Sequence, residues 1–220
     1  MQAKCFLFDL DGTLIDSLPA SERVWTQWAH EHNVLVNDVL NYIHGRQAVE
    51  SLRHFMRGFS ENEVQLALLD LERRECNEVH DIAEIDGAIN FLKELNRHNI
   101  PWAIVTSGTQ KLARTRHQAA KLPMPSLFIT AEHIKNSKPH PEAYLLAANT
   151  LGFKPEECIV VEDALAGIQS GVAAGCQVIA VNHKDKNDTS VKLHITSYHQ
   201  LALNFLENDI TEVVMHSRKP

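Results

Sequence analysis

The run Asp9-Leu10-Asp11-Gly12-Thr13 closes a short apolar stretch, Lys4–Leu10, and carries the residues best suited to chemistry. An Asp-Gly pair alone is an ordinary turn. Two carboxylates at the end of a buried strand are less ordinary. Their charges repel and lose hydration unless a cation or partner meets them. Taking ~5% per residue type, these four fixed residues would recur by chance in about one chain in a thousand of this length. Glu162-Asp163 closes a second apolar run, Cys158–Glu162. Together these acids offer oxygen ligands without histidine, which suits Mg²⁺, with Mn²⁺ as a substitute. Three further features suit a phosphate. Thr106-Ser107-Gly108 offers hydroxyls and a backbone turn, Lys138 before Pro139 offers a point charge, and Gly12 permits close backbone approach. Singly, each has a plain structural explanation. Their weight comes from falling together at strand ends and loops.

The elements that position them follow from the hydrophobic pattern. Five apolar runs read as buried strands: Lys4–Leu10, Trp102–Thr106, Leu127–Thr130, Cys158–Glu162 and Gln177–Val181. Between them lie helical patterns at Ala88–Leu95, Lys111–Leu122, Pro141–Leu151 and Ala164–Ala174, the last two stopped by Gly152 and Gly175. Alternating strands and helices predict an α/β fold, a parallel sheet covered on both faces. Residues 18–82 break the alternation. Helices are expected at Ser17–His32, Asp38–His44 and Gln47–Met56, and from the capping box Ser60-x-x-Glu63 through Val79. The expected organisation is an α/β core of residues 1–17 and 83–220 with a helical domain of 18–82 inserted. Lys184–Lys192 reads as a loop and Ile210–His216 as an extra strand.

Composition limits the function classes. The 220 residues are 44% apolar, enough for one core plus a small satellite. Lys and Arg number 21 against 28 Asp and Glu, a net charge of −7, which argues against a nucleic-acid binder that works by counterion release. A small anion must then be met by a metal, backbone amides or a few lysines. Charges such as Asp9 and Glu162 cut every apolar stretch far short of a bilayer span, and Met1-Gln2-Ala3-Lys4 shows no signal-peptide anatomy. The four cysteines form no CxxC, and three sit where a small buried hydrophobe is expected. A reduced, cytoplasmic protein without membrane or nucleic-acid partners, and monomeric, is the expectation. The 13 histidines contain no HExxH and read mostly as surface residues.

Four ordered stretches carry a family resemblance: FDLDGTLIDS (Phe8–Ser17), IVTSGT (Ile104–Thr109), KPHPEAY (Lys138–Tyr144) and VVEDALAGIQSG (Val160–Gly171). The chain resembles the haloacid dehalogenase-like hydrolases over nearly its whole length to about residue 200. Its helical insert is similar to the α-helical cap of their phosphatase branch. Bacterial sugar-phosphate phosphatases and fungal glycerol- and deoxyglucose-phosphate phosphatases share the SGT and FITA…KPHPE stretches.

The resemblance implies a Rossmann-like strand order, with the first strand beside the Glu162-Asp163 strand where the order reverses. It implies Mg-dependent hydrolysis of small sugar or polyol phosphates through an aspartyl-phosphate. Asp9 would be the nucleophile and Asp11 the general acid and base, protonated in the first step under nearby negative charge. Asp9, Asp163 and the Asp11 carbonyl would bind the metal, with Glu162 acting through water. Thr106, Ser107 and Lys138 would hold the phosphoryl oxygens, and Thr13 would brace the nucleophile loop. Family analogy also points His44, Gly45, Arg46 and Arg53 at the substrate. A β-type phosphomutase and a phosphoglycolate-type phosphatase are the alternatives. Mutases of this cap type place a histidine where this chain has Ser21. Dehalogenases lack a second Asp at the Asp11 position. A non-catalytic protein on this scaffold would be expected to lose one of Asp9, Asp11, Lys138 or Asp163. One departure is Asp86 in place of the usual proline before Gly87, where it is expected to cap the next helix.

Overall fold

All five apolar runs form strands of one parallel sheet, in a computed structural model that describes residues 1–206 and 209–216. The elements begin with β1 (Gln2–Ala3), β2 (Cys5–Phe8) and β3 (Ile15–Asp16), then helices α1 (Leu18–Glu31), α2 (Val36–Ile43), α3 (Ala48–Phe55) and α4 (Glu61–Asn77). They continue with β4 (Ala83–Glu84), α5 (Ala88–Arg97), β5 (Trp102–Val105), α6 (Gln110–Ala119), β6 (Leu127–Ile129) and α7 (Glu142–Leu151). Last come β7 (Cys158–Glu162), α8 (Leu165–Ala173), β8 (Gln177–Val181), β9 (Leu193–Ile195), β10 (Leu201–Phe205) and β11 (Thr211–Met215).

The six-stranded sheet runs β6-β5-β2-β7-β8-β9. Strands added after β2 go one way to β5 and β6, and those after β6 go the other way from β7. The order therefore reverses at β2 and β7, the place where open α/β sheets bind ligands beyond the strand carboxyl ends. Phe8 lies opposite both Ile104 and Val161, so the strands deliver Asp9, Val105 and Glu162 to one edge at one level.

Side-chain alternation along each strand divides the core in two. Phe6, Phe8, Trp102, Ile104, Ile159 and Val161 face one side, under α5 with its Phe91, Leu92 and Leu95. Cys5, Leu7, Ala103, Val105, Cys158 and Val160 face the other, under α7 and α8 with Tyr144, Ala147 and Ile168. Burial on both faces explains why these strands read as continuous apolar runs. Cys5, Cys158 and Cys176 are buried and unbridged, in keeping with their apolar settings.

Helices α1–α4 have a separate apolar cluster that includes Val24, Trp25, Trp28, Val39, Leu52 and Leu71. The chain leaves toward them along β3 and returns along β4, and these two strands pair antiparallel. At the start of α4 the Ser60 hydroxyl accepts from the Glu63 amide, and the Glu63 carboxylate accepts from the Ser60 amide at 2.7 Å, as the capping box requires. No helix among the described residues is long and apolar enough to cross a membrane.

Two details differ from the sequence expectations, the Asp86 cap and the unannounced strands β9 and β10, and a third agrees. Asp86 does not cap α5. Its carboxylate accepts from the Ser197 hydroxyl at 2.7 Å, and Glu84 accepts from the Ile89 amide at 2.6 Å instead. Strand β9 follows the expected loop unannounced, because Leu-His-Ile is too short to show a period. The stretch Ile210–His216 does hold a strand, β11, which joins β1 and the unexpected β10 in an antiparallel sheet. The end of the expected core, residues 217–220, lies outside the described residues.

Candidate active site

Asp9 follows β2 directly, and its amide donates to the Val161 carbonyl of β7 at 3.0 Å. The Lys138 ammonium, only 1% exposed, reaches across to it. Its Nζ donates to Asp9 Oδ1 at 2.7 Å, Glu162 Oε1 at 2.7 Å and the Val105 carbonyl at 3.0 Å. Glu162 is fully committed. Tyr144 donates to its Oε1 at 2.9 Å, and the Asp163 and Ala164 amides donate to Oε2 at 3.0 and 3.1 Å. Asp163 accepts from the Thr13 hydroxyl at 3.0 Å, and its carbonyl lies 3.0 Å from His183 Nδ1. Thr13 is thus bonded to Asp163 rather than turned toward the cavity.

Oxygens of Asp9, Glu162 and Asp163 lie within 4.8 Å of one another. Burial pushes the Asp9 carboxyl well up, with Lys138 opposing and Glu162 and Asp163 adding to the rise. Burial, then the charge of Glu162, pushes Asp163 up to about 7. Burial works against the Lys138 charge, but Asp9 and Glu162 outweigh it and hold its pKa up. We therefore assign Lys138 as the ammonium. With all three ionised, as a bound cation would require, three carboxylates against one ammonium leave two negative charges unbalanced. The donor set is all oxygen and the missing charge is that of a divalent cation, so the residues fit a hard metal ion. Gly12 makes the approach possible. Its φ is +84°, and a Cβ there would sit 2.3 Å from Asp163 Oδ2.

Asp11 stands outside this cluster. The Ser17 hydroxyl donates to its Oδ1 at 2.5 Å and Arg116 Nη1 donates to the same atom at 2.9 Å. The charge in direct contact with Asp11 is therefore positive, where nearby negative charge was expected. Arg116 also donates through Nη2 to Glu75 Oε1 at 3.1 Å, and Ser21 donates to that oxygen at 2.7 Å. Sequence reasoning did not single out Arg116 or Glu75. Each left a signal, a charge on an apolar helical stripe. Arg116 follows Leu112 and Ala113 on the buried face of α6, and Glu75 follows Val64 and Leu71 on that of α4.

A cavity of about 140 Å³ lies between the sheet edge and helices α1–α4. At ~10–15 Å³ per water it has room for roughly ten waters, enough for a small phosphate ester. Asp9, Asp11, Thr106, Ser107 and Asp163 line its core side, and His44, Gly45, Arg46 and Glu75 its helical side. Lys138 lies beneath, reaching the cavity through Asp9. Ser107 Oγ donates to the Gly45 carbonyl at 3.1 Å, joining the two sides. Gly45 has φ +76°, and a Cβ there would come 2.8 Å from the Ala164 Cβ, so only glycine permits this approach. Arg53 is the exception among the four residues expected at the substrate on the helical side. It pairs with Glu61 at 2.6 Å on an exposed face and is not among the cavity-lining residues. Its correction has a simple cause. It sits on α3, where Ser51 and Leu52 take the buried positions beside it.

Comparison with known proteins agrees with this geometry. A family model for haloacid dehalogenase-like hydrolases matches residues 3–175. The chain is 56% identical over 182 residues to hexitol phosphatase A of Escherichia coli (strain K12), covering 83% of this chain and 84% of that protein. It is 36% identical over 186 residues to glycerol-1-phosphate phosphohydrolase 1 of Saccharomyces cerevisiae, covering 80% of this chain and 73% of that protein. The crystal structure of a β-phosphoglucomutase from Clostridium difficile superposes with a TM-score of 0.82 at 24% identity, covering 91% of this chain and 93% of that one, which shows the shared fold.

Proposed function

This chain belongs to the haloacid dehalogenase-like hydrolase family, and on that premise we propose that it hydrolyses small sugar or polyol phosphates through an aspartyl-phosphate at Asp9. The observation that carries this reading is the Asp9–Lys138–Glu162–Asp163 cluster beside a separately bonded second acid, Asp11, with Asp9, Asp11 and Asp163 lining one cavity. Two carboxylates in different surroundings suit two roles.

In the first step a carboxylate oxygen of Asp9 forms a bond to phosphorus while the bond to the leaving oxygen breaks. Asp11, which enters this step protonated while its Oδ1 accepts from Arg116 and Ser17, gives its proton to that oxygen. In the second step water attacks phosphorus, its proton passes to Asp11, and the Asp9–phosphorus bond breaks to release phosphate. Lys138 holds Asp9 by Oδ1, which fixes the carboxylate's aim. Thr106 and Ser107 hold phosphoryl oxygens. The resident metal, Mg²⁺ in this reading, would be held by Asp9, Asp163 and the Asp11 carbonyl, with Glu162 behind them. When bound it neutralises charge between nucleophile and phosphate. Residues 18–82 act as a cap over a core of 1–17 and 83–220, and exclude water during the first step. The protein is proposed to work as a cytoplasmic monomer.

Ser21, engaged by Glu75, stands where the mutase reading calls for a histidine, so hydrolysis is favoured over phosphoryl return to the sugar. The test is phosphate release from hexose, hexitol and glycerol phosphates with Mg²⁺, comparing wild type with Asp9→Asn. Release lost in the variant supports the reading. A folded, metal-binding wild type that releases no phosphate from any ester refutes it.

A further inference from the structure

The proposed reaction asks Asp11 to give a proton to the leaving oxygen and then to take one from water. Either carboxyl oxygen could carry that proton. A buried side chain that the reaction does not otherwise use bears on the choice. Arg116 lies on α6 and is 4% exposed. Burial works against its charge, but Asp11 and Glu75 outweigh it and hold the guanidinium charged. Nη1 donates to Asp11 Oδ1 at 2.9 Å, and Nη2 donates to Glu75 Oε1 at 3.1 Å. Ser21 donates to the same glutamate oxygen at 2.7 Å, so the far end of the fork is itself held. Burial pushes the Glu75 carboxyl up. Both contacts survive a proton on Glu75, which can sit on Oε2, an oxygen with no protein partner among the described residues.

Ser17 also donates to Asp11 Oδ1, at 2.5 Å. It stands just before α1, where a serine hydroxyl would accept from a helix amide, and makes no such bond. Two donors thus converge on Oδ1. Asp11 Oδ2 has no protein partner among the described residues, and Asp11 lines the cavity. The two donors differ in kind. A hydroxyl donates or accepts, so Ser17 alone would tolerate a proton on either oxygen. A guanidinium only donates, so a proton on Oδ1 would face the Nη1 proton of Arg116.

We propose that Arg116 is a positioning residue for proton transfer: by occupying Oδ1 it confines the Asp11 proton to Oδ2, the oxygen open to the leaving group. This role rests on the phosphatase reading of the cavity and adds to it a residue outside the four stretches that carry the family resemblance. In the first step the Oδ2–H bond breaks as the bond from phosphorus to the leaving oxygen breaks, and the proton passes to that oxygen. The carboxylate left behind finds both donors already on Oδ1, so no group has to reorganise. In the second step Oδ2 takes the proton of the attacking water. Glu75 steadies the guanidinium from α4, so the fork that aims the acid spans α6 and α4.

Leaving-group dependence is the test. Acetate departs from acetyl phosphate as a stable anion and needs no proton, whereas the alkoxide of glycerol 3-phosphate needs one. kcat/KM extends only to departure of the leaving group, so it reads the step in which Asp11 is the acid and not hydrolysis of the aspartyl-phosphate. Arg116→Met removes both Nη donors and should lower kcat/KM about a hundredfold for glycerol 3-phosphate but less than about threefold for acetyl phosphate. Arg116→Lys keeps a cation between Asp11 and Glu75 and serves if the methionine variant does not fold. A single ammonium lacks the planar fork, so the same split is expected at about tenfold on glycerol 3-phosphate. Adding Arg116→Met to Asp11→Asn should cost nothing further on either substrate, because Arg116 acts through Asp11.

Equal losses on the two substrates, in either variant folded by thermal melt, overturn this role, since a merely structural arginine would move both alike. So does a folded Arg116→Lys enzyme with no loss on glycerol 3-phosphate, or a further loss in the Asp11→Asn background. In each of these cases the phosphatase reading stands. A wild type that releases phosphate from none of these compounds brings down the role and that reading together.

Discussion

Replacing Lys138 by Met tests the charge balance on which the nucleophile cluster depends. Methionine is of similar length and keeps the contacts beside Tyr144, so packing changes little. What disappears is an ammonium bonded at 2.7 Å to Asp9, at 2.7 Å to Glu162 and at 3.0 Å to the Val105 carbonyl. Three carboxylates with oxygens within 4.8 Å then have no counter-charge. Removing one partner of a buried ion pair costs about 3–5 kcal/mol. For a chain of this length each kcal/mol is about 2–4 °C in Tm, so the metal-free variant should melt about 6–20 °C below wild type. The deficit should depend on pH. Losing the lysine raises the native carboxyl pKa values further, so the folded state binds more protons than the unfolded one and stability falls as pH rises. The gap should be small near pH 5 and full near pH 8. A divalent cation supplies the missing charge, so Mg²⁺ should raise the Tm of the variant by more than that of wild type. Thermal denaturation followed by circular dichroism, in chelator and in Mg²⁺ at both pH values, measures all three effects. A deficit that is the same at pH 5 and pH 8, or a Mg²⁺ shift no larger in the variant, would refute the charge argument.

Other perturbations report on neighbouring parts of the site. Asp163 is raised from 3.8 to about 7, so its contribution to stability is full below about pH 4 and lost as pH rises to about 7, a change of about 4 kcal/mol in chelated protein. A chelated wild type with a flat Tm between pH 4 and 7 would contradict that burial effect. Gly12→Ala places a Cβ 2.3 Å from Asp163 Oδ2 at a φ of +84°, and should weaken Mg²⁺ binding in calorimetry and reduce turnover at least a hundredfold. Arg46→Ala removes a cavity-lining guanidinium and should raise KM for sugar phosphates. Arg53→Ala breaks only an exposed pair with Glu61 and should leave kcat and KM within twofold of wild type.

The residues at strand ends were legible in the sequence for a topological reason. A parallel strand buried on both faces reads as an unbroken apolar run, and its last residue lands on the ligand-binding edge whatever the helices do. Asp9, Thr106 and Glu162-Asp163 could therefore be placed together without knowing any helix packing. Strand β10 gave no such signal, since most of Leu201–Phe205 is only partly buried and its pairing partners are β11 and, through it, β1. Arg46 and Arg53 looked equivalent because both sit near the same helix. The turn at Gly45 brings one to the cavity, while a glutamate eight residues on draws the other to the surface.

Arg116 was the least legible of all. Its partners lie 41 and 105 residues away, on elements whose contact depends on α4 packing against α6. Nothing local to α6 says that a charge among Leu112 and Ala113 is paired rather than displaced to solvent. Yet the two buried clusters share the loop from Asp9 to Asp11. With its acids ionised the first is short by two positive charges and ends in open oxygen ligands, which a divalent ion can complete. In the second, one Arg116 guanidinium bridges Asp11 and Glu75, so the loop that places the nucleophile is tied through a single buried cation to α4 of the helical insert.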